Sequence, residues 1–146
     1  MEMWYRLLLY LHVFSAILSI GPFFLLLPMI RNLNTASQPE LQIYLCSFRS
    51  AVRLAKHAGH VLVVSGILLV SFGSWTWRTP WLLITVAILA GSLLFLARAF
   101  SPTLRRFEEA DADRAALSKA LRRSFWIYII LLLVMLWFMV AKPVLW

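Results

Sequence analysis

Few side chains in this sequence could do chemistry. They are three imidazoles, His12, His57 and His60, and the bases Arg53, Lys56 and Lys142. His57 and His60 stand three apart directly after Arg53 and Lys56, so at helical spacing they share a face. His12 lies alone inside the apolar stretch WYRLLLYLHVFSAILSIGPFFLLLPMIR, Trp4 to Arg31. That stretch is long enough to cross a bilayer, and an ionisable side chain inside such a span is by default a functional candidate. Neutral imidazole ligates transition metals and relays protons. The question is what His12 faces.

Elimination narrows the chemistry. Every acid except Glu2 and Glu40 falls between Phe107 and Arg114, so no span carries the carboxylates that Mg²⁺ or Ca²⁺ prefer. No GxSxG elbow accompanies a base, which argues against nucleophilic hydrolysis. The single cysteine, Cys46, excludes an internal disulfide, and there is no CxxCH for covalent haem attachment. Zinc or copper suits the ligand type, but three histidines spread along two helices make a poor cluster. Haem b fits better, with His12 as first axial ligand, His60 as second and His57 as its rival. Arg53, Lys56 and Lys142 are the candidate partners for its propionates. Plainer readings stand beside this one. His12 could simply be hydrogen-bonded to a neighbouring helix, His57 and His60 could be interfacial, and Lys142 could snorkel to headgroups.

These residues need elements to position them. The composition is 62% hydrophobic and 14% charged, with a mean hydropathy of +0.84, which excludes a water-soluble domain of this length. We expect an all-α integral membrane protein, one domain over residues 1–146, folded as a four-helix up-down bundle. The expected spans are about 4–31, 51–73, 80–100 and 124–146, with a polar cytoplasmic helix at about 103–123. Gly21-Pro22 should bend the first helix. Thr79 reads as an N-cap with Pro80 as first helical residue, and Ser101-Pro102 as the stop of the third span.

Inward seams are read from polar spacing. His12, Ser15 and Ser19 share a face of helix one, and Arg53, His57, His60 and Val64 a face of helix two. Thr85 with Ser92, and Tyr128 with Met135 and Lys142, recur at intervals of seven on the other two. Gly59, Ser65 and Gly66 should allow close helix approach. At about 1.5 Å per residue, His12 lies roughly 12 Å below the outer surface of a hydrocarbon core about 30 Å thick, and His60 on the order of 5 to 10 Å deeper. A cofactor could bridge that gap.

The net charge of +8 flanks apolar spans and implies lipid headgroups, with no nucleic-acid partner. Eleven bases lie beside the first and third connections, and only Arg6, Arg78 and Lys142 on the other side. The positive-inside bias therefore puts both termini outside in a bacterial cytoplasmic membrane.

LHVFSAILSIGPFF, RLAKHAGHVLVVSGILLV and MLWFMVAKP resemble small four-helix membrane proteins grouped around the copper-resistance D (CopD) and HemJ-type protoporphyrinogen oxidase families, including a neighbouring family of unknown function. The resemblance implies an early helix-one histidine, here His12, followed by small residues such as Gly21, and a terminal Lys142-Pro143. In HemJ-type enzymes that histidine is associated with haem b. This chain lacks the Leu-Pro-Arg pattern after the helix-one glycine, having LLLPMIR, and has LRRSFWIY where Asn-Glu-x-Pro is expected. These departures weigh against porphyrinogen oxidation and leave haem binding open. The expected function is haem b binding for electron transfer or haem-based redox chemistry. Its alternatives are a HemJ-like oxidase and a cofactor-free transport or assembly factor handling copper. A quinone or respiratory-chain partner and a homo-oligomer are the expected associations.

Overall fold

The computed structural model describes residues 2–144. Four rods carry the chain. They are α1 (Glu2–Asn32), α2 (Gln38–Phe72), a third rod made of α3 (Pro80–Phe95), a π-helical turn (Leu96–Phe100) and α4 (Ser101–Arg106), and α5 (Arg114–Ala141). All four are long and apolar enough to cross a membrane. Each rod packs on its neighbours in sequence, and α5 closes the ring against α1. This is the up-down-up-down bundle that short connections favour. Two hairpins, α1/α2 and α3/α5, make the tightest contacts; two looser seams, α2/α3 and α1/α5, join them.

Local chemistry explains the helix ends, and three boundaries differ from expectation. Helix α2 starts at Gln38, well before residue 51, because Pro39 occupies its first turn and the Ser37 backbone N–H donates to the Glu40 carboxylate at 2.9 Å. At 35 residues it measures roughly 50 Å, so about two fifths of it projects beyond the hydrocarbon. The third rod does not stop at Ser101-Pro102. The wider π turn lies immediately before Pro102, whose ring would crowd the carbonyl four residues back, and the widening carries the helix through to Arg106. The expected polar helix at 103–123 is therefore divided: its first turn belongs to the third rod and its second half opens α5, where Asp113 caps the helix by accepting from the Ala116 backbone N–H at 3.2 Å. Thr79 and Pro80 take the expected places at the start of α3. The end of the expected last span, at Leu145 and Trp146, lies outside the described residues.

The core is densest toward the basic end. Phe23, fully buried, stands 4.7 Å from Tyr128, 5.7 Å from Phe100 and 6.1 Å from Phe125 between ring centroids, so three rods meet at one aromatic knot. Beyond it the connections are tied down. Arg49 pairs with Glu108, Arg114 donates to the Ala36 carbonyl at 3.1 Å, and Ser118 donates to Asn34 Oδ1 at 2.9 Å. Leu33, Ala36 and Phe107 continue the apolar core beneath these bonds.

The other end is built differently. Val70, Trp81 and Leu82 form a second small cluster with Phe138, drawn from α2, α3 and α5 and including no residue of α1. Lys142, the left-handed C-cap of α5 with φ 44°, sits 4.7 Å from the Trp75 ring centroid. This is a cation–π contact that holds the base at the Trp-rich end.

The knot makes a sharp prediction. Phe23→Ala should destabilise the bundle by about 3 to 5 kcal/mol, whereas Phe24→Ala, on the exposed face of the same helix, should change it by less than about 0.5 kcal/mol. Reversible unfolding in mixed micelles, followed by far-UV circular dichroism, separates the two.

Candidate functional site

Helix α1 presents one face to the bundle, and His12 is on it. Ser15, Ala16, Ser19, Phe23, Leu26 and Ile30 are the buried residues of this helix, and at 100° per residue His12 falls in the middle of their arc. Yet His12 is only half-buried, as are Leu8 and Tyr5 one and two turns before it. The inward face of α1 is thus buried from Ser15 onward and only partly covered in its first three turns. This matches the small cluster at the tryptophan-rich end, which draws on α2, α3 and α5 and holds no residue of α1.

What holds the imidazole is α2. His12 Nδ1 lies 3.0 Å from Ser65 Oγ, and Ser65 is itself buried. The serine hydroxyl has one hydrogen, and two helix carbonyls compete for it, Val61 O at 2.7 Å and Leu62 O at 3.1 Å. With its hydrogen turned to either carbonyl, Ser65 Oγ can accept from His12 Nδ1–H. In that tautomer the proton sits on Nδ1 and Nε2 carries the lone pair. Gly66 makes room for the ring, since a Cβ there would stand 3.1 Å from His12 Cε1. Thus the small pair Ser65-Gly66 supplies both the hydrogen bond and the space.

The sequence-predicted site residues do not all converge. The expected inward seam of α2, Arg53, His57, His60 and Val64, is its exposed face. The face that packs is Val52, Ala55, Ala58, Gly59, Leu62 and Ser65, roughly opposite. Lys56, half-buried, lies at the edge of the two. His60 Nδ1 is bonded to the Lys56 carbonyl of its own helix, and the structure does not bring His57 or His60 to His12. Gly59 faces α3, where a Cβ would meet Leu93 Cδ2 at 2.6 Å, so the glycine belongs to the helix contact and the neighbouring histidine does not. Lys142 is at the tryptophan-rich end, with Trp75 and Trp81. The seams expected on the other helices agree with burial for Ser15, Ser19, Thr85, Ser92, Tyr128 and Met135.

The sequence reading named Ser65 as a small residue only, without its part in the site. A hydroxyl at mid-span signals a partner when an imidazole enters from the adjacent helix at the same depth, and that depth match was the missing step. Ser19 is the other unexpected feature. Its hydroxyl is 2% exposed and makes no hydrogen bond, whereas Ser15, Thr85 and Ser92 each donate to a carbonyl of their own helix.

The donor set therefore fits one kind of ligand and not another. A single imidazole in that tautomer, at the edge of a partly covered apolar face, can donate its Nε2 lone pair to a metal or to an acidic hydrogen. Among the described residues no group of three His, Cys, Asp or Glu side chains converges, so a compact zinc or copper cluster is not built from this chain's own ligands. The bis-imidazole pairing expected from His12 and His60 inside one bundle is likewise not formed.

Ser65→Ala should leave Nδ1–H unpartnered and destabilise the bundle by about 0.5 to 2 kcal/mol. In the His12→Ala background the same change should cost much less. A double-mutant cycle measured by unfolding in mixed micelles reads the coupling directly. No protein-family model, curated protein or solved structure matches the chain.

Proposed function

We propose that this multi-pass membrane protein holds haem b at the partly covered face of α1, with His12 Nε2 as the axial ligand supplied by the protein, and serves redox chemistry in the bacterial cytoplasmic membrane. One observation carries the reading: His12 Nδ1 lies 3.0 Å from Ser65 Oγ, a contact that, made as Nδ1–H to oxygen, leaves Nε2 as the ligating nitrogen. A ligating imidazole characteristically donates its other N–H to a neighbour, which orients the ring and raises its basicity. Bound haem iron would supply one-electron transfer, or ligand chemistry where an axial position is open.

The chain's residues define the rest. Ser65 and Gly66 set the angle of the ring. The half-buried Tyr5 and Leu8 continue the same apolar face, which excludes water from one side of a planar ligand. Because His57 and His60 lie on the exposed face of α2, the arrangement supports one axial ligand from this bundle in preference to two. That favours ligand binding or substrate oxidation over simple bis-imidazole electron transfer. A HemJ-like oxidase belongs to this class of chemistry. Copper handling draws less support, for want of converging ligands. We also infer that both termini face outside, from the placement of eleven of the fourteen Lys and Arg residues beside the connections at the other end.

Two measurements test the reading. Protein purified from haem-supplied cells should show a Soret band and sharp reduced-minus-oxidised bands. His12→Ala should abolish them, His57→Ala and His60→Ala should keep them, and Ser65→Ala should weaken haem retention by roughly 10- to 100-fold. Colourless wild-type protein after reconstitution with haem removes the proposal. For orientation, Cys46 is exposed on the early part of α2. A membrane-impermeant maleimide should label it only after the membrane is opened, whereas Arg6→Cys in a Cys46→Ser background should react in intact cells. The reverse pattern would invert the topology.

A further inference from the structure

The two looser seams of the bundle each open at the basic end into a cavity lined by bases. The α2/α3 seam ends in a cavity of about 310 Å³ whose lining includes Arg49, Arg53, Lys56 and Arg105. The α1/α5 seam ends in a larger one, about 570 Å³, lined by Arg31, Lys119, Arg122 and Arg123 with Asn34 and Trp126 among its neighbours. The two differ in how their charge is answered. Arg49 already pairs with Glu108, whereas none of the four bases in the larger cavity has a carboxylate within 4.0 Å among the described residues.

We propose that the α1/α5 cavity is a binding site for a phosphate-bearing anion, and that the occupant is the headgroup of an anionic phospholipid. The positive-inside bias accounts for bases at this end but not for their convergence. Arg31 comes from the last turn of α1 and the other three from the second and third turns of α5, two elements far apart in sequence that fold to bring like charges onto one cavity. Such a grouping repels itself unless an anion sits within it.

Three further features fix the chemistry. Arginine guanidinium groups bind phosphate oxygens through paired N–H donors, and three of the four bases are arginine. Asn34 Oδ1 is taken by Ser118, so the amide presents its N–H₂ group as an additional donor. Trp126, 43% exposed, stands at the cavity one turn toward the apolar part of α5, where an aromatic ring anchors at the headgroup level and an acyl chain would leave the site. A basic pocket between spanning helices at the inner surface is the setting in which anionic headgroups are held. This inference is independent of haem.

The test uses the full-length protein in nanodiscs and in detergent. Native mass spectrometry of wild type extracted from membranes should show phosphatidylglycerol or cardiolipin retained in preference to phosphatidylethanolamine. In detergent, added cardiolipin should raise the unfolding temperature, with phosphatidylcholine giving no rise. Arg31→Gln with Arg122→Gln and Arg123→Gln should lower anionic-lipid retention by at least about tenfold, whereas Arg105→Gln with Arg106→Gln should not. The single change Lys119→Gln, at an exposed position, keeps the comparison informative should the triple variant fold poorly, and should lower retention measurably. Inorganic phosphate at millimolar concentration is the second arm. If phosphate alone reproduces the stabilisation and lipid adds nothing, the lipid assignment is wrong. Equal retention of anionic and zwitterionic lipid by wild type, or undiminished retention by Lys119→Gln and the triple variant, overturns the site altogether.

Discussion

A polar group inside hydrocarbon has no water to fall back on, and in this bundle that constraint decides where each one goes. The hydroxyls of Ser15, Thr85 and Ser92 are buried and donate to carbonyls within their own helices, so they pass through the core as small, nearly apolar residues. Ser65 does the same with its proton and thereby becomes an acceptor for His12. The polar contact that joins α1 to α2 at His12 follows from a local habit of serine in helices. Its consequence is chemical, because an imidazole whose Nδ1 is committed has its Nε2 lone pair available.

The packing around that contact explains why the imidazole is not simply sealed in. Phe23 is the point at which α1 is locked to the third rod and α5, and it lies more than three turns from His12. Beyond the knot, toward the tryptophan-rich end, Phe138 of α5 packs on the cluster of Val70, Trp81 and Leu82. The first three turns of α1 rest on α2 through Ser65 and Gly66, and Tyr5 approaches Gly73. A histidine one turn deeper would be enclosed, and one a turn nearer the end would lack the serine. The position of His12 is set by where the aromatic knot stops.

How much of this the sequence disclosed depends on which signal each element carried. Helix existence was legible because length and apolarity alone identify a span, and Thr79-Pro80 marked the start of α3 with a cap and a fixed φ. The faces of α2 were not, and the reason is physical. In water, charged and imidazole side chains mark the outward face of a helix, but in a spanning helix both faces are apolar and a polar spacing of three and four reads as the inward one. The reliable signal was the small residues: Ala51, Ala55, Ala58 and Gly59 let α2 approach its neighbours closely, and they lie opposite Arg53, His57 and His60. The passage of the third rod through Pro102 was illegible for a different reason. A π turn has no composition of its own, and only the packed geometry of Leu96 and Phe100, both fully buried, shows why the helix is kept going.

The same seam, α1 against α5, carries both features that the packing leaves unfinished, and they lie at its two ends. At one end four bases gather around a cavity with no carboxylate among them; at the other an imidazole stands on a partly covered apolar face. Between them the seam is closed by Phe23, Phe125 and Tyr128. A closed middle keeps the two ends separate. Three packed aromatic rings separate the two ends, so each satisfies its own chemistry with what reaches it locally. At the basic end that is the headgroup layer, where phosphate is abundant; at the other end it is the hydrocarbon, where a half-buried imidazole finds its partner in Ser65 of the neighbouring helix.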